Sequence, residues 1–233
     1  ITRVFLNYTY IFQTAGSRLH SGKTKGETTK MGIDLYEYLT KQKIVPVIKI
    51  NDPKQAVGMA HALLAGGLSS AEITFRSAAA EESIRILTKE VPELLVCAGT
   101  VLSVETAQKA VQAGAKGIIS PGTNPEVVEW CLANYVPVIP GCMTPTEIES
   151  NMRMGLKAVK FFPAEPAGGV KMLKAFSGPY ASVQFMPTGG INLTNVNSFL
   201  ELPNVFCCGG SWIVPEKELD RGNFALIQEN ARL

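Results

Sequence analysis

From residue 34 onward, short β-branched or aliphatic runs alternate with stretches whose apolar residues recur at helical spacing. Residues 34–42 carry a first helical pattern, Leu35-Tyr36-Glu37-Tyr38-Leu39, expected to cover one end of the domain. A strand is predicted at 44–50, and Asp52-Pro53 starts a helix through Leu64 that Gly66-Gly67 ends. The second strand is expected at 71–75, with a helix at 78–90 stopped by Val91-Pro92. The third spans 94–100, and Ser103 serves as N-cap of a helix to Ala113. Residues 117–120 and 136–140 supply strands four and five, with Asn124-Pro125 and Thr144-Pro145 opening the helices through Ala133 and Met154. The sixth strand lies in Ala158-Val159-Lys160-Phe161-Phe162, closed by Pro163 and followed by a helix from about 170 to 176. Strands at 183–187 and 205–208 complete the series, with helices at 194–200 and near 219–231.

Strand starts recur every ~19–27 residues, the spacing of βα units with short connections. Eight such units with parallel strands fit an α/β fold of the (β/α)8 TIM-barrel type, one domain over 31–233. An open doubly wound sheet would normally bring a G-x-G-x-x-G turn after its first strand, and Ile50-Asn51-Asp52-Pro53 has no such form.

Within this frame the sixth strand holds an unusual residue. Lys160 sits in a run that reads as buried, where an ammonium is costly unless paired or deprotonated. A free amine in an apolar pocket is the nucleophile that forms Schiff bases with carbonyl compounds. The plain alternative is a lysine on a strand edge, or one whose head reaches water. Barrel chemistry gathers at the carboxyl ends of strands. In strand two, period-2 alternation puts Glu72, Thr74 and Arg76 on one face, with Ala71, Ile73 and Phe75 on the other. Glu72 can be a proton shuttle beside Lys160 or half of an ion pair that merely orders the barrel. Arg76 can clamp a carboxylate with two parallel hydrogen bonds. Thr100 ends strand three, where a hydroxyl either meets a carboxylate or caps the next helix, the commoner role. Ser120-Pro121-Gly122 and Pro140-Gly141 read as turn chemistry. Gly189-Gly190 and Gly209-Gly210-Ser211 follow strands seven and eight, the loops that in barrels frequently bind phosphate.

Composition narrows the picture further. The 233 residues are 46% hydrophobic and 18% charged, ordinary for one α/β domain, and no apolar run approaches a membrane span. The net charge of +2 is unevenly spread: residues 1–30 hold five basic residues against Glu27 alone, leaving 17 basic and 19 acidic residues in the remainder. The basic excess lies in a tail, so nucleic acid is not an expected partner. That tail has no helical or strand periodicity after Phe12 and reads as a non-native or disordered N-terminal extension, either translated upstream sequence or an artificial leader. Cys97, Cys131, Cys142, Cys207 and Cys208 form no C-x-x-C pair and sit among apolar neighbours, as free thiols in a reducing compartment do. His61 alone represents histidine in the body, on a helical pattern, so neither a metal site nor a histidine triad is expected.

Taken in order, Glu72-Ile73-Thr74-Phe75-Arg76, Ala98-Gly99-Thr100-Val101, Ile119-Ser120-Pro121-Gly122, Val159-Lys160-Phe161-Phe162-Pro163-Ala164-Glu165, Pro187-Thr188-Gly189-Gly190 and Gly209-Gly210-Ser211-Trp212 resemble the 2-keto-3-deoxy-6-phosphogluconate (KDPG) and 4-hydroxy-2-oxoglutarate (KHG) aldolase family over essentially all of 31–233. The resemblance implies that Lys160 is the Schiff-base lysine and Glu72 the acid/base carboxylate. It places Arg76 and Thr100 at the pyruvate part of the substrate and Thr188 near its hydroxyls. Gly189, Gly190, Gly209, Gly210 and Ser211 fall where the family holds phosphate. Lys49 stands at a position that varies in the family, as a further anion contact or as a barrel-mouth residue without a role. The implied protein is a cytoplasmic, homotrimeric lyase of carbohydrate metabolism with no cofactor and no metal. It would cleave 2-dehydro-3-deoxy-6-phosphogluconate to pyruvate and glyceraldehyde 3-phosphate; 4-hydroxy-2-oxoglutarate or the galactonate-derived epimer are the rival substrates. A phosphosugar isomerase would share the barrel and phosphate loops but would not need a lysine in strand six. A non-enzymatic sensor would tolerate loss of Lys160 or Glu72.

Overall fold

Nine short parallel strands and ten helices account for residues 34–232, the part of the chain that the computed structural model describes. The proposed extension at residues 1–30 lies outside the described residues. Helix α1 (Leu35–Gln42) begins at Asp34, whose side chain accepts from the Glu37 backbone N–H, and it buries Leu35 and Leu39. Those leucines pack with Val45, Leu95, Cys97 and Ile119, near the amino ends of the strands, so α1 closes the lower end of the inner core. Gly117 leaves room for this contact, since a Cβ there would come within 2.4 Å of the tip of the Leu35 side chain.

The strands are β1 (Ile44–Ile48), β2 (Ser70–Thr74), β3 (Leu95–Gly99), β4 (Ile118–Ile119), β5 (Val138–Ile139), β6 (Gly141–Cys142), β7 (Ala158–Phe161), β8 (Gln184–Pro187) and β9 (Cys208–Gly210). Six form one curled parallel sheet in the order β5-β4-β3-β2-β1-β9, and three form a second in the order β6-β7-β8. The predicted fifth strand, 136–140, is confined to β5, and a further strand, β6, follows Pro140, which has no N–H for the ladder. The two sheets meet again at isolated parallel bridges, Phe185–Val205 and Thr188–Gly209.

Helices α2 (Ala56–Ala65), α3 (Ala80–Glu90), α4 (Val104–Gln112), α5 (Pro125–Ala133), α6 (Pro145–Arg153), α7 (Gly169–Phe176) and α8 (Val196–Leu200) separate the strands. They pack on the outward residues of the strands: Ala71, Ile73, Val96 and Ala98 join helix residues in one outer cluster, Val159, Phe161 and Phe185 in another. Alternation therefore turns Glu72, Thr74, Cys97 and Lys160 to the inside. A short 3-10 turn, Pro53–Gln55, precedes α2. The predicted last helix is two, α9 (Glu216–Asp220) and α10 (Phe224–Arg232), separated at Gly222, whose φ of 70° suits glycine.

Candidate active site

Lys160 is 4% exposed in β7, and Glu72 is fully buried in β2. The Lys160 ammonium donates to both carboxylate oxygens, at 3.0 Å to Oε1 and 3.3 Å to Oε2. The Phe162 ring, just past the end of β7, lies 5.6 Å from Nζ. A buried ion pair of this kind is weak support for stability, because desolvation consumes much of the Coulomb gain. It is better explained by what it opens onto. Both residues line a cavity of about 240 Å³ at the carboxyl ends of the strands.

The remaining walls carry most of the other residues singled out by the sequence: Arg76, Thr100, Thr188, Gly189, Gly190, Gly209 and Ser211. Arg76 is held by a relay in which its Nε donates to Thr74 Oγ1 at 3.1 Å and that hydroxyl donates to the Ile48 carbonyl at 2.9 Å. Thr74 is thus a positioning residue that alternation placed on the right face without revealing its task. Thr100 adopts φ 57°, a left-handed conformation uncommon for a β-branched residue, and Ser103, not Thr100, caps α4. Among the described residues Thr188 Oγ1 has no hydrogen-bond partner; it is buried against Gly209 in a residue that lines the cavity. An orphaned buried hydroxyl costs about 1–3 kcal/mol, so a ligand oxygen here would satisfy it. Gly189 and Gly190 have φ of 99° and 79°, which lets successive backbone groups turn without a side chain in the way.

Two expectations are adjusted. Gly209 and Gly210 were expected in a loop after a strand at 205–208, whereas they belong to β9. Gly209 accommodates Thr188, since its Cβ would fall 2.3 Å from Oγ1, while Gly210 is absent from the cavity wall and lies against the Trp212 ring. Lys49 also stands off the wall: its Nζ donates to Glu216 Oε1 at 2.6 Å, and Asn51 donates to the same oxygen at 2.9 Å. Those hydrogen bonds, Lys49 first, hold the Glu216 carboxyl below its usual range. His61 is exposed on α2. Cys97, the register partner of Glu72, remains a neutral thiol, because burial and then the neighbouring carboxylate push its pKa up. Among the described residues no group of His, Cys, Asp or Glu side chains is arranged to hold a metal ion. Pro121, read from sequence only as turn chemistry, and Phe162, given no role there, also line the cavity; for Phe162 the period-2 relation to Lys160 was the available signal.

Comparison with known proteins places this geometry. The family model described as KDPG and KHG aldolase matches residues 35–230. The chain belongs to the KDPG/KHG aldolase family. Its relatives include the 2-dehydro-3-deoxy-phosphogluconate aldolase of Haemophilus influenzae, 47% identical over 190 residues, covering 82% of this chain and 90% of that protein. The KHG/KDPG aldolase of Escherichia coli is 44% identical over 194 residues, covering 83% and 91%. Among solved structures, the Legionella pneumophila KDPG aldolase aligns with a TM-score of 0.82 and 40% identity over 84% of this chain and 96% of its own. That crystal holds pyruvate captured at low pH as a covalent carbinolamine intermediate. Family membership makes this chain an aldolase, a carbon–carbon lyase.

Proposed function

We propose that this KDPG/KHG aldolase works by the class I route, with Lys160 as the covalent nucleophile, and cleaves 2-dehydro-3-deoxy-6-phosphogluconate to pyruvate and glyceraldehyde 3-phosphate. The observation that carries the reading is the Lys160–Glu72 pair, buried on both sides yet set in the cavity wall. Transfer of a proton along the 3.0 Å contact leaves a neutral amine that adds to the C2 ketone. The carbinolamine takes up a proton from Glu72 and loses water to give an iminium ion. Glu72, directly or through a water, then accepts the C4 hydroxyl proton as the C3–C4 bond breaks. The electron pair moves to the iminium nitrogen, giving an enamine and the aldehyde. Protonation at C3 and hydrolysis release pyruvate and restore Lys160.

The other walls orient this chemistry. Arg76, steadied by Thr74, and Thr100 hold the substrate carboxylate, which aims C2 at Lys160. Thr188 donates to a substrate hydroxyl, and Gly189, Gly190, Gly209 and Ser211 hold the phosphate at the far end. Gly210 supports this wall from behind through Trp212, and Lys49 contributes through the charge balance around Glu216. A second substrate, 4-hydroxy-2-oxoglutarate, is favoured by the double name of the E. coli relative. Comparing cleavage rates of that compound and of the two C4 epimers of the phosphorylated substrate fixes the preference.

The same reading includes a closed (β/α)8 barrel, supported by the bridges between the two sheets and by chain continuity through Pro140. It includes a homotrimer, as in the resemblance, and a cytoplasmic location, in keeping with five free and buried cysteines. No helix among the described residues is long and apolar enough to cross a membrane. The deciding experiment is reduction with borohydride in the presence of pyruvate. A pyruvyl-derived mass is expected on the peptide containing Lys160; an unlabelled protein, or label confined to other lysines, removes the Schiff-base assignment.

A further inference from the structure

We infer that Gly99 is a positioning residue for the reaction: the side chain it lacks is the slot that lets the Glu72 carboxylate stand at the height of the Lys160 amine. The inference rests on the reading of Glu72 as the acid/base group. In β3, Leu95 and Cys97 face the inner core while Val96 and Ala98 join the outer cluster, so alternation aims position 99 inward, one step above Cys97. Glu72 pairs in register with Cys97, and Thr74 pairs with Gly99. The Glu72 side chain therefore leans upward across the neighbouring strand and over Gly99. A Cβ at position 99 would fall 2.2 Å from Glu72 Oε1, 2.5 Å from Cγ and 2.8 Å from Cδ. Favourable contacts between such atoms lie at about 3.5–4.0 Å, so the carboxylate would have to move by about 1 Å.

Neither backbone conformation nor the strand ladder calls for glycine at this position. The left-handed φ values of Gly189 and Gly190 demand it there, but Gly99 is not among the glycines with positive φ. Its carbonyl accepts from the Phe75 N–H at 2.8 Å, a ladder bond that any residue could make. Among the described residues, both hydrogen bonds to the Glu72 carboxylate come from Lys160. Lys160 on one side and the bare backbone of Gly99 on the other thus set where the carboxylate stands. A misplacement of about 1 Å can cost about 10²-fold in rate.

The test is a double-substitution cycle with Gly99→Ala and Glu72→Ala, read by turnover, by borohydride trapping of pyruvate and by thermal unfolding. With Glu72 present, G99A is expected to lower kcat about 100-fold while KM changes by less than about 3-fold, because the methyl at position 99 meets Glu72 first, and Arg76 and the phosphate wall lie on other strands. In the E72A background the added methyl meets no carboxylate, and G99A should change the residual turnover by less than about 3-fold. An equal loss in both backgrounds, or no loss in either, overturns the proposal. If G99A fails to fold, the double variant decides: a folded G99A/E72A protein supports the slot, and an unfolded one shows that the strand itself needs the glycine and ends the idea. Near-normal turnover of E72A alone removes the acid/base reading, and the slot's catalytic meaning with it.

Discussion

A hydroxyl without a partner is an uncommon thing to keep inside a protein, and Thr188 keeps one on the wall of the cavity. Replacing it by valine preserves the shape and removes an unsatisfied group worth about 1–3 kcal/mol. Thr188→Val is therefore expected to leave thermal stability equal or higher while kcat/KM for the phosphorylated substrate falls about 10–100-fold and discrimination between the C4 epimers shrinks. Unchanged kinetics would take Thr188 out of the substrate contacts. Lys160 and Glu72 could be found from sequence because each is a charged residue in a strand pattern, and period 2 grouped Glu72 with Thr74 and Arg76 on one face. Gly99 was silent for the opposite reason. A strand glycine gains meaning only when the neighbouring strand's carboxylate is seen leaning over it. Gly210 was misplaced for a related reason: β9 runs to Gly210, and a glycine pair within a strand reads locally as a turn. Glu72→Gln separates the covalent step from proton transfer. It should slow turnover strongly while the trapped pyruvate adduct at Lys160 stays detectable; a near-normal rate would move the acid/base role to another group.

At the scale of elements, helix starts were the most legible part of the chain, because a cap is settled within four residues. Ser103 caps α4, Asn124 caps α5, and Thr144 with Glu147 forms a full capping box ahead of Pro145. Strand limits depend on partners far away in sequence. This is why β4 and β5 are shorter than expected, and why β6 was read as a turn. The capping box of α6 provides a pH test. Burial raises the Glu147 pKa, but hydrogen bonds from the Met143 N–H and from the Thr144 hydroxyl and N–H outweigh it, so the net shift is downward. A depressed carboxyl pKa contributes stability that is fully present above the ordinary carboxylate range and is lost as pH falls through the lowered value. The stability gap between the native chain and Glu147→Gln should accordingly be largest near neutrality and close in acid; a gap independent of pH would mean that the charge has no part in the cap. Thr144→Ala should cost about 1 kcal/mol at neutral pH, measured by denaturant unfolding.

For the whole molecule, assembly has a physical handle on the same end of the sheets as the cavity. Leu102, after β3, is 60% exposed, and Met143, after β6, is 42% exposed. The loops that carry them are tied together through the segment after β4: Asn124 Nδ2 donates to the Leu102 carbonyl at 3.2 Å, and Thr123 Oγ1 donates to the Gly141 carbonyl at 2.8 Å. Scattered surface apolar side chains need no explanation, but side chains on linked loops offer an edge that a second copy can cover. In a closed trimer each subunit would present this edge to a different surface of the next, a head-to-tail contact whose rotation closes on itself. Light scattering coupled to gel filtration should then give three times the 25.1 kDa chain mass, and Leu102→Lys combined with Met143→Lys should shift the population toward monomer. A native chain that elutes at 25.1 kDa across the micromolar range would rule out the trimer. A trimer indifferent to both lysines would move its interface to another face. Measuring aldol cleavage in the same fractions adds the remaining step: equal turnover per subunit in monomeric and trimeric fractions would show that the cavity walls described in this chain suffice, and a loss in the monomer would show that a neighbour completes them.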